Sequence, residues 1–425
     1  MKTILLSTIC LWAIAVQAQE TQSISTGQGY NQQCYVNLAD GTGHQKANTS
    51  WDIAFSVAPE DAGIFINESV GSAQGALAIQ AYFTVSDDFN AVPEPAFFEG
   101  YPLYNREVSW SYGALNEYHE PGNPNDFGWG VYDPGTQEIQ GVYVYAIQLR
   151  DGSYLKLQIQ SLINGVYTFR YANFDGSGEV TKTISKSDHA GKMLAYFSFQ
   201  TGTTVDIEPA NGFDLIFCRY YDLLHQGGDS VQYLVTGILS ADGVEVAEAR
   251  QVNPDSVQYQ DFIDSLSTIP DIIGQDWKFF DLNAFAWILE ENLVYFVKTR
   301  DDRVWKIQFI EFQGSGSGTA VFEKTDLGII SAVHDPLSPV TEFLIYPNPA
   351  SSEVNVLYQL RNVGVSNLNF QLLDASGNLI HTYSTRAGDG LNVFTMDQDD
   401  LSSGVYFIRL TNRDQSYTSS VSILK

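Results

Sequence analysis

VYVYAIQLRDGSYLKLQIQSL, residues 142–162, decides the fold class. Leu155, Leu157 and Ile159 alternate with Tyr154, Lys156, Gln158 and Gln160, the period of two that a strand shows when one face is buried and the other is wet. Asp151-Gly152 divides two apolar-rich runs, and Asp-Gly suits a two-residue type I′ turn, whose central residues both need φ > 0. The stretch therefore reads as a β-hairpin. Its pattern returns about 150 residues later as LVYFVKTRDDRVWKIQFIEF, residues 293–312, where Trp305, Ile307 and Phe309 take one face and Lys306 and Gln308 the other.

Other blocks repeat in the same order. Tyr35–Leu38 leading to Trp51–Phe55 matches Tyr196–Phe199 leading to Phe213–Phe217, Trp129–Asp133 matches Trp277–Asp281, and Val166–Arg170 parallels Ala320–Glu323. Two tandem copies follow, residues 28–179 and 191–327, each built from short strands and long loops. An all-β chain is expected, because 25 Phe, 24 Tyr and 7 Trp favour strands and 35 Gly supply turns. Lys156 and Gln158 recur as Lys306 and Gln308 although the middles of the copies diverge, so these residues are read as holding the sheet.

Residues 1–18 read as a secretory signal: Lys2, an apolar run from Ile4 to Val16, and cleavage after Ala18. The run falls short of the roughly 20 residues of a membrane span, and no later segment reads as one. Cys10 lies inside the run, where a lipobox would place it after. Only Cys34 and Cys218 then remain, too few for a disulfide framework, and two buried free thiols are expected. A net charge of −28, from 22 Lys+Arg against 50 Asp+Glu, excludes nucleic acid and anionic membrane as partners, since both reward cationic patches. No D-x-[DN]-x-[DN]-G loop occurs, and Asn173–Gly178 is read as a turn.

The order of W-D-I-A-F at Trp51–Phe55, W-x-x-Y-D at Trp129–Asp133 and Y-x-x-x-x-R-D-G-x-x-x-K-x-Q-I at Tyr145–Ile159 resembles the HmuY family of secreted and surface haem-binding proteins. Weaker counterparts stand at Phe213–Phe217, Trp277–Asp281 and Tyr295–Phe309. The resemblance implies β domains in which two sheets grip a ligand without catalysis. It also implies haem held by paired histidine or methionine side chains on opposite faces of the porphyrin. The candidates are His44, His119, His189, His225, His334, His381, Met193 and Met396. Within the variable middles only His119 and His225 occur, so neither copy shows a pair.

The first middle, residues 97–129, reads FFEGYPLYNREVSWSYGALNEYHEPGNPNDFGW. Two readings stay open. Its rings line a recognition surface for a porphyrin, a glycan or a protein, or they pack under the loop as a satellite cluster. Trp110, Tyr112, Tyr118 and His119 are the candidate ligand-binding residues. No nucleophile elbow, H-E-x-x-H or phosphate-binding glycine loop occurs, so no catalytic residue and no metal site is expected.

After a linker at residues 328–341, a different unit occupies 342–425. FLIYPNPASSEVNV opens it, and short strands alternate with Asn-Pro and Ser-Gly turns, the pattern of a small β-sandwich. Pro347, Asn348 and Pro349, then Gly377, then Gly404 and Tyr406, and Lys425 resemble the marks of the type IX secretion system C-terminal sorting domain. That resemblance implies passage through the periplasm to the medium or the outer cell surface, with the secretion machinery as partner. The expectation is an exported, non-enzymatic binding protein, or a structural or adhesive surface protein without a small ligand.

Overall fold

The computed structural model describes residues 19–69, 77–91, 94–120, 122–226, 229–329, 340–346, 348, 350, 353–360, 366–374, 378–388, 390–397, 401–412 and 415–424. The signal at 1–18, most of the linker, and Pro347, Pro349, Gly377 and Lys425 lie outside the described residues, as do His334 and the side chain of His225. The chain is nearly all β and divides into units Met1–Ile330 and Ser331–Lys425.

The hairpin at 142–162 forms, with Val144–Gln148 paired to Tyr154–Ile163. Its turn corrects the two-residue expectation. Leu149 N–H donates to the Ser153 carbonyl at 2.8 Å and Gly152 N–H to that of Leu149 at 2.9 Å. Gly152 has φ +83° while Asp151 stays at negative φ, so the loop is three residues long, a type I turn closed by one left-handed residue. Asp151 is held there by its own carboxylate, which accepts the Ser153 N–H at 3.0 Å. The second copy repeats the geometry at Thr299–Arg303, with Asp302 taking the left-handed place at φ +62° and Lys298 Nζ 3.2 Å from its carboxylate.

Four sheets stack in the first unit. An outer sheet runs Val180–Ser185, Val166–Asn173, Tyr154–Ile163, Val144–Gln148, Gln80–Ser86, Pro102–Leu103. Its Tyr145, Leu157 and Phe169 pack on Ile53, Phe55 and Phe197 of an inner sheet, Thr203–Val205, Leu194–Ser198, Ile53–Ser56, Ile64–Ile66. Alternation along those inner strands turns Ala54, Leu194 and Tyr196 toward the second inner sheet, Asp229–Ser240, Leu215–Gln226, Gln32–Asn37, Thr42–Ala47, where they share a core with Tyr35, Ile216 and Cys218. The opposite face of that sheet packs on the other outer sheet, Gln19–Ser25, Thr319–Ile329, Arg303–Phe312, Leu293–Lys298, Glu245–Arg250.

Both inner sheets cross the boundary between the copies. Leu194–Ser198 pairs with Ile53–Ser56, from Leu194↔Ser56 to Phe197↔Ile53, and Gln32–Asn37 pairs with Leu215–Gln226, from Val36↔Leu215 to Cys34↔Phe217. Each copy thus lends its opening hairpin to the other, an exchange of equivalent elements within one chain. Because Cys34 is paired with Phe217, Cys218 faces the other side of the sheet. Both thiols are buried and free, and burial pushes them up to about 11 and about 12, which keeps them unreactive.

The repeated motif residues pin loops to sheets. Lys156 Nζ donates to the Phe89 carbonyl at 2.8 Å and Lys306 Nζ to that of Pro254 at 2.9 Å. Tyr145 and Tyr295 hydroxyls donate to the Leu115 and Ile273 carbonyls at 3.2 and 3.4 Å. Arg150 pairs with the buried Asp52 carboxylate, and Arg300 Nη1 donates to the Phe213 carbonyl at 3.1 Å.

The second unit is a sandwich of two sheets, Val340–Tyr346, Glu353–Leu360, Gly390–Asp397 against Leu379–Ala387, Ser366–Leu373, Gly404–Asn412, Gln415–Ile423. Val356, Tyr358, Phe370 and Ile408 fill it, with Phe370 and Phe394 stacked at 4.2 Å.

Candidate functional site

The 97–129 segment is stitched down rather than loose. Asn116 is fully buried; its Oδ1 accepts the N–H groups of Ile64 at 2.9 Å and Gly113 at 3.1 Å, and its Nδ2 donates to the Phe127 carbonyl at 2.8 Å. Asn105 Oδ1 likewise accepts the Ile66 N–H at 3.0 Å. These amides replace the ladder that an irregular segment lacks.

The four candidate residues divide among three places. Tyr112 and His119 stack at 4.4 Å and 22°, with His119 Nδ1 2.8 Å from the Asn116 carbonyl. Tyr118, half exposed, lies on Phe83 at 4.5 Å, and Tyr143 meets Phe83 edge-on at 4.9 Å. Those rings pack on neighbours within the first copy. Trp110 does something else. Its Nε1–H reaches out of the first copy to donate to the Ser240 carbonyl of the second at 2.8 Å.

Trp110 stands between two spaces. On one side is a cavity of about 70 Å³ between the inner sheets, lined by Tyr35, Trp51, Phe65, Tyr196, Glu68 and Tyr220 among others. That holds a few waters and no macrocycle. Burial pushes the Glu68 carboxyl there up to about 8, although it accepts the Asn105 N–H at 2.8 Å. On the other side is an open cleft of about 750 Å³ at the seam of the copies, walled by Trp110, Met193, Phe213, Lys186, Asp242 and Arg300 among others.

The cations of the cleft are spoken for. Lys186 Nζ donates to the carbonyls of Ala58 and Asp61, both at 2.6 Å, and burial pushes it down to about 8. Lys192 Nζ donates to the Glu208 carbonyl at 2.6 Å, and Arg300 Nε to that of Asp242 at 2.6 Å. Hydroxyls of Ser56, Ser185 and Ser187 complete a polar surface of mixed sign around the apolar patches. Of the described histidines and methionines, Met193 alone lines either space, and its sulfur accepts the Asp242 N–H at 3.3 Å. Met193 stood among the candidates only as an iron ligand, and Phe213 and Lys186 carried no sign of a site, because the exchange of hairpins, not any local pattern, brings all three to Trp110.

In the second unit Asn348 Nδ2 donates to the Ser420 carbonyl at 3.1 Å, and its Oδ1 accepts the Ser422 N–H at 2.9 Å. The Tyr406 hydroxyl donates to the Ser402 carbonyl at 3.0 Å, and a Cβ at Gly404 would meet Tyr406 only at an ordinary 3.7 Å. Among the described residues no helix is long and apolar enough to cross a membrane.

Comparison with known proteins bears on this second unit. No curated protein matches the chain. Among solved structures, 95% of the chain aligns with 34% of dimeric latent PorU from Porphyromonas gingivalis, at 8% identity and a TM-score of 0.19; the chain thus spans about a third of that protein. Residues 344–424 match the family of the secretion system C-terminal sorting domain. The second unit therefore carries a type IX sorting domain, which marks the chain as a protein secreted or displayed on the outer cell surface.

Proposed function

We propose that the first unit is a non-enzymatic binding module that takes a neutral polar ligand of glycan type in the cleft beside Trp110. The observation that carries this reading is the position of Trp110, fixed through its N–H to Ser240 while its ring walls an open cleft of about 750 Å³. An indole face flanked by hydroxyls and backbone-saturated cations suits a sugar ring, which stacks on an aromatic face and exchanges hydrogen bonds at its edge. The HmuY resemblance supports a gripping β architecture and no more than that, because ligand choice belongs to a site and not to a fold. Haem is not part of the proposal, since a porphyrin needs two opposed axial side chains and, among the described histidines and methionines, Met193 alone lines either space.

A second, adhesive reading rests on a different feature. The hairpin Lys278–Asp281 and Ala286–Leu289 presents Phe280, Leu282 and Phe285 to solvent, the last two 74% and 81% exposed, and clustered exposed apolar groups mark contact surfaces.

An array of neutral oligosaccharides probed with the parent chain and with Trp110→Ala separates the two. Binding by the parent that vanishes in Trp110→Ala supports the cleft. Binding that survives Trp110→Ala, or a one-to-one Soret band on adding haemin, overturns it. Binding to cells lost only in the paired variant Leu282→Ser with Phe285→Ser favours adhesion.

A further inference from the structure

We propose that Glu107, Asp222 and Asp271 form a calcium site that fastens the variable segment of the first copy to the second copy. Each offers a carboxylate oxygen, and the three oxygens lie within 4.8 Å of one another. Ligands of one calcium ion, at 2.3–2.6 Å from it, are at most about 5 Å apart, a spread these oxygens meet, and magnesium, which sheds its water reluctantly, is seldom held by an all-protein cage. The donors come from three separate segments: Glu107 between Pro102–Leu103 and Ala114–Asn116, Asp222 on Leu215–Gln226, and Asp271 in the turn Pro270–Ile272. No local spacing announces such a site. It exists only because the copies are folded together.

The three carboxylates act on one another. All three residues are half-buried. Burial first, then the Glu107 and Asp222 charges, push Asp271 up to about 6, and burial with Asp222 raises Glu107. Arg106, the basic neighbour in sequence, is paired with Glu117 at 3.2 Å.

Clustered acids alone would mean little in a chain of net charge −28. A second observation points to an occupant. The Tyr220 hydroxyl has no hydrogen-bond partner, and its residue is only 5% exposed. Tyr220 shares a strand face with Asp222, and the carboxylates of Asp222, Asp271 and Glu107 all act on its hydroxyl. Gly237 and Gly274 leave it room, since a Cβ on either would come within 2.9 and 3.8 Å of the oxygen. A buried hydroxyl without a partner calls for a ligand or water, and water on a bound ion satisfies it. Hard, all-oxygen donors select calcium over softer transition metals. The ion would also steady Trp110, three residues beyond Glu107, but the site stands whether or not the cleft binds a glycan.

Calorimetric titration of the EDTA-treated full chain with calcium chloride alone tests this. One equivalent should bind, magnesium should bind at least about tenfold more weakly, and Asp222→Asn or Asp271→Asn should weaken calcium by about tenfold or more. In EDTA the Asp271→Asn variant should melt at or above the parent, because repulsion is relieved, which separates loss of binding from loss of fold. Terbium luminescence sensitised by the nearby phenol should fall in Tyr220→Phe. No binding by the parent, or unchanged binding by the Asp222→Asn, Asp271→Asn pair, overturns the site.

Discussion

The hydroxyls of Tyr35 and Tyr196 meet 3.3 Å apart in the middle of the first unit, and the two residues hold the same place in the two copies. Equivalent residues that touch mark the axis relating the repeats. Each sits on the opening strand that its copy lends to the other, so the contact exists because of the exchange. The bond has a direction. Tyr196 donates to Glu208 Oε1 at 3.1 Å, which leaves Tyr35 as the donor to Tyr196. Glu208 in turn accepts the Met193 and Leu194 N–H groups at 2.8 and 2.9 Å.

That direction predicts unequal costs. Tyr196→Phe strips the Tyr35 hydroxyl of its acceptor in a buried place and should destabilise the chain by about 2 kcal/mol, whereas Tyr35→Phe removes only the first donor and should cost about 1 kcal/mol. The double variant should cost less than the sum, since the two share one chain of bonds. Urea unfolding measures all three, and equal, additive costs would mean that the hydroxyls are not coupled.

Glu68 predicts a pH dependence. Burial raises its carboxyl from 4.5 to about 8, against the Asn105 and Tyr221 N–H groups that favour the ionised form. The native state therefore holds a proton that the unfolded chain releases. Its contribution is fully present below about pH 4.5 and is lost as pH rises toward 8, a loss on the order of a few kcal/mol. Unfolding free energies across that window should decline in the parent and run flatter in Glu68→Gln; parallel curves would show that Glu68 is ionised in the native state.

What the sequence made legible follows the range of the forces involved. Alternation is local, so Leu155, Leu157 and Ile159 announced a strand and the all-β class with it. Asp151-Gly152 located a turn, but its type is settled by strand register, and Gly152 alone takes positive φ. Partnership was not legible: Tyr35 and Tyr196 look like strand residues whichever copy they pair with. Arg150 and Asp52 both stand in repeated blocks, yet their ion pair spans 98 positions and declares itself only in three dimensions. Of the aromatic candidates, Trp110 reached an open surface, while Tyr112 and His119 stacked on each other and Tyr118 packed on Phe83. Glu107, Asp222 and Asp271 were indistinguishable among 50 acidic residues.

Asn348 gives the sorting unit its own prediction. The strand Gln415–Ile423 has Gly404–Asn412 on one side, and on the other, among the described residues, Asn348 and Ala350 bond to it. There Ala350 N–H donates to the Ser422 carbonyl and Leu424 N–H to that of Ala350, both at 2.8 Å, and the Asn348 amide adds a donor and an acceptor of its own. Asn348→Ala removes both at once and should loosen the final strand, at about 1–2 kcal/mol. Asn348→Asp keeps the acceptor for Ser422 but sets a carboxylate against the Ser420 carbonyl, so it should not rescue. If the sorting machinery reads a folded tail, Asn348→Ala should slow export, and deletion of residues 343–425 should trap the protein in the periplasm. Fractionation of cells and medium decides it: undiminished release of the truncated chain would refute the sorting role, and normal export of a destabilised Asn348→Ala would show that the terminal strand need not be clamped for recognition.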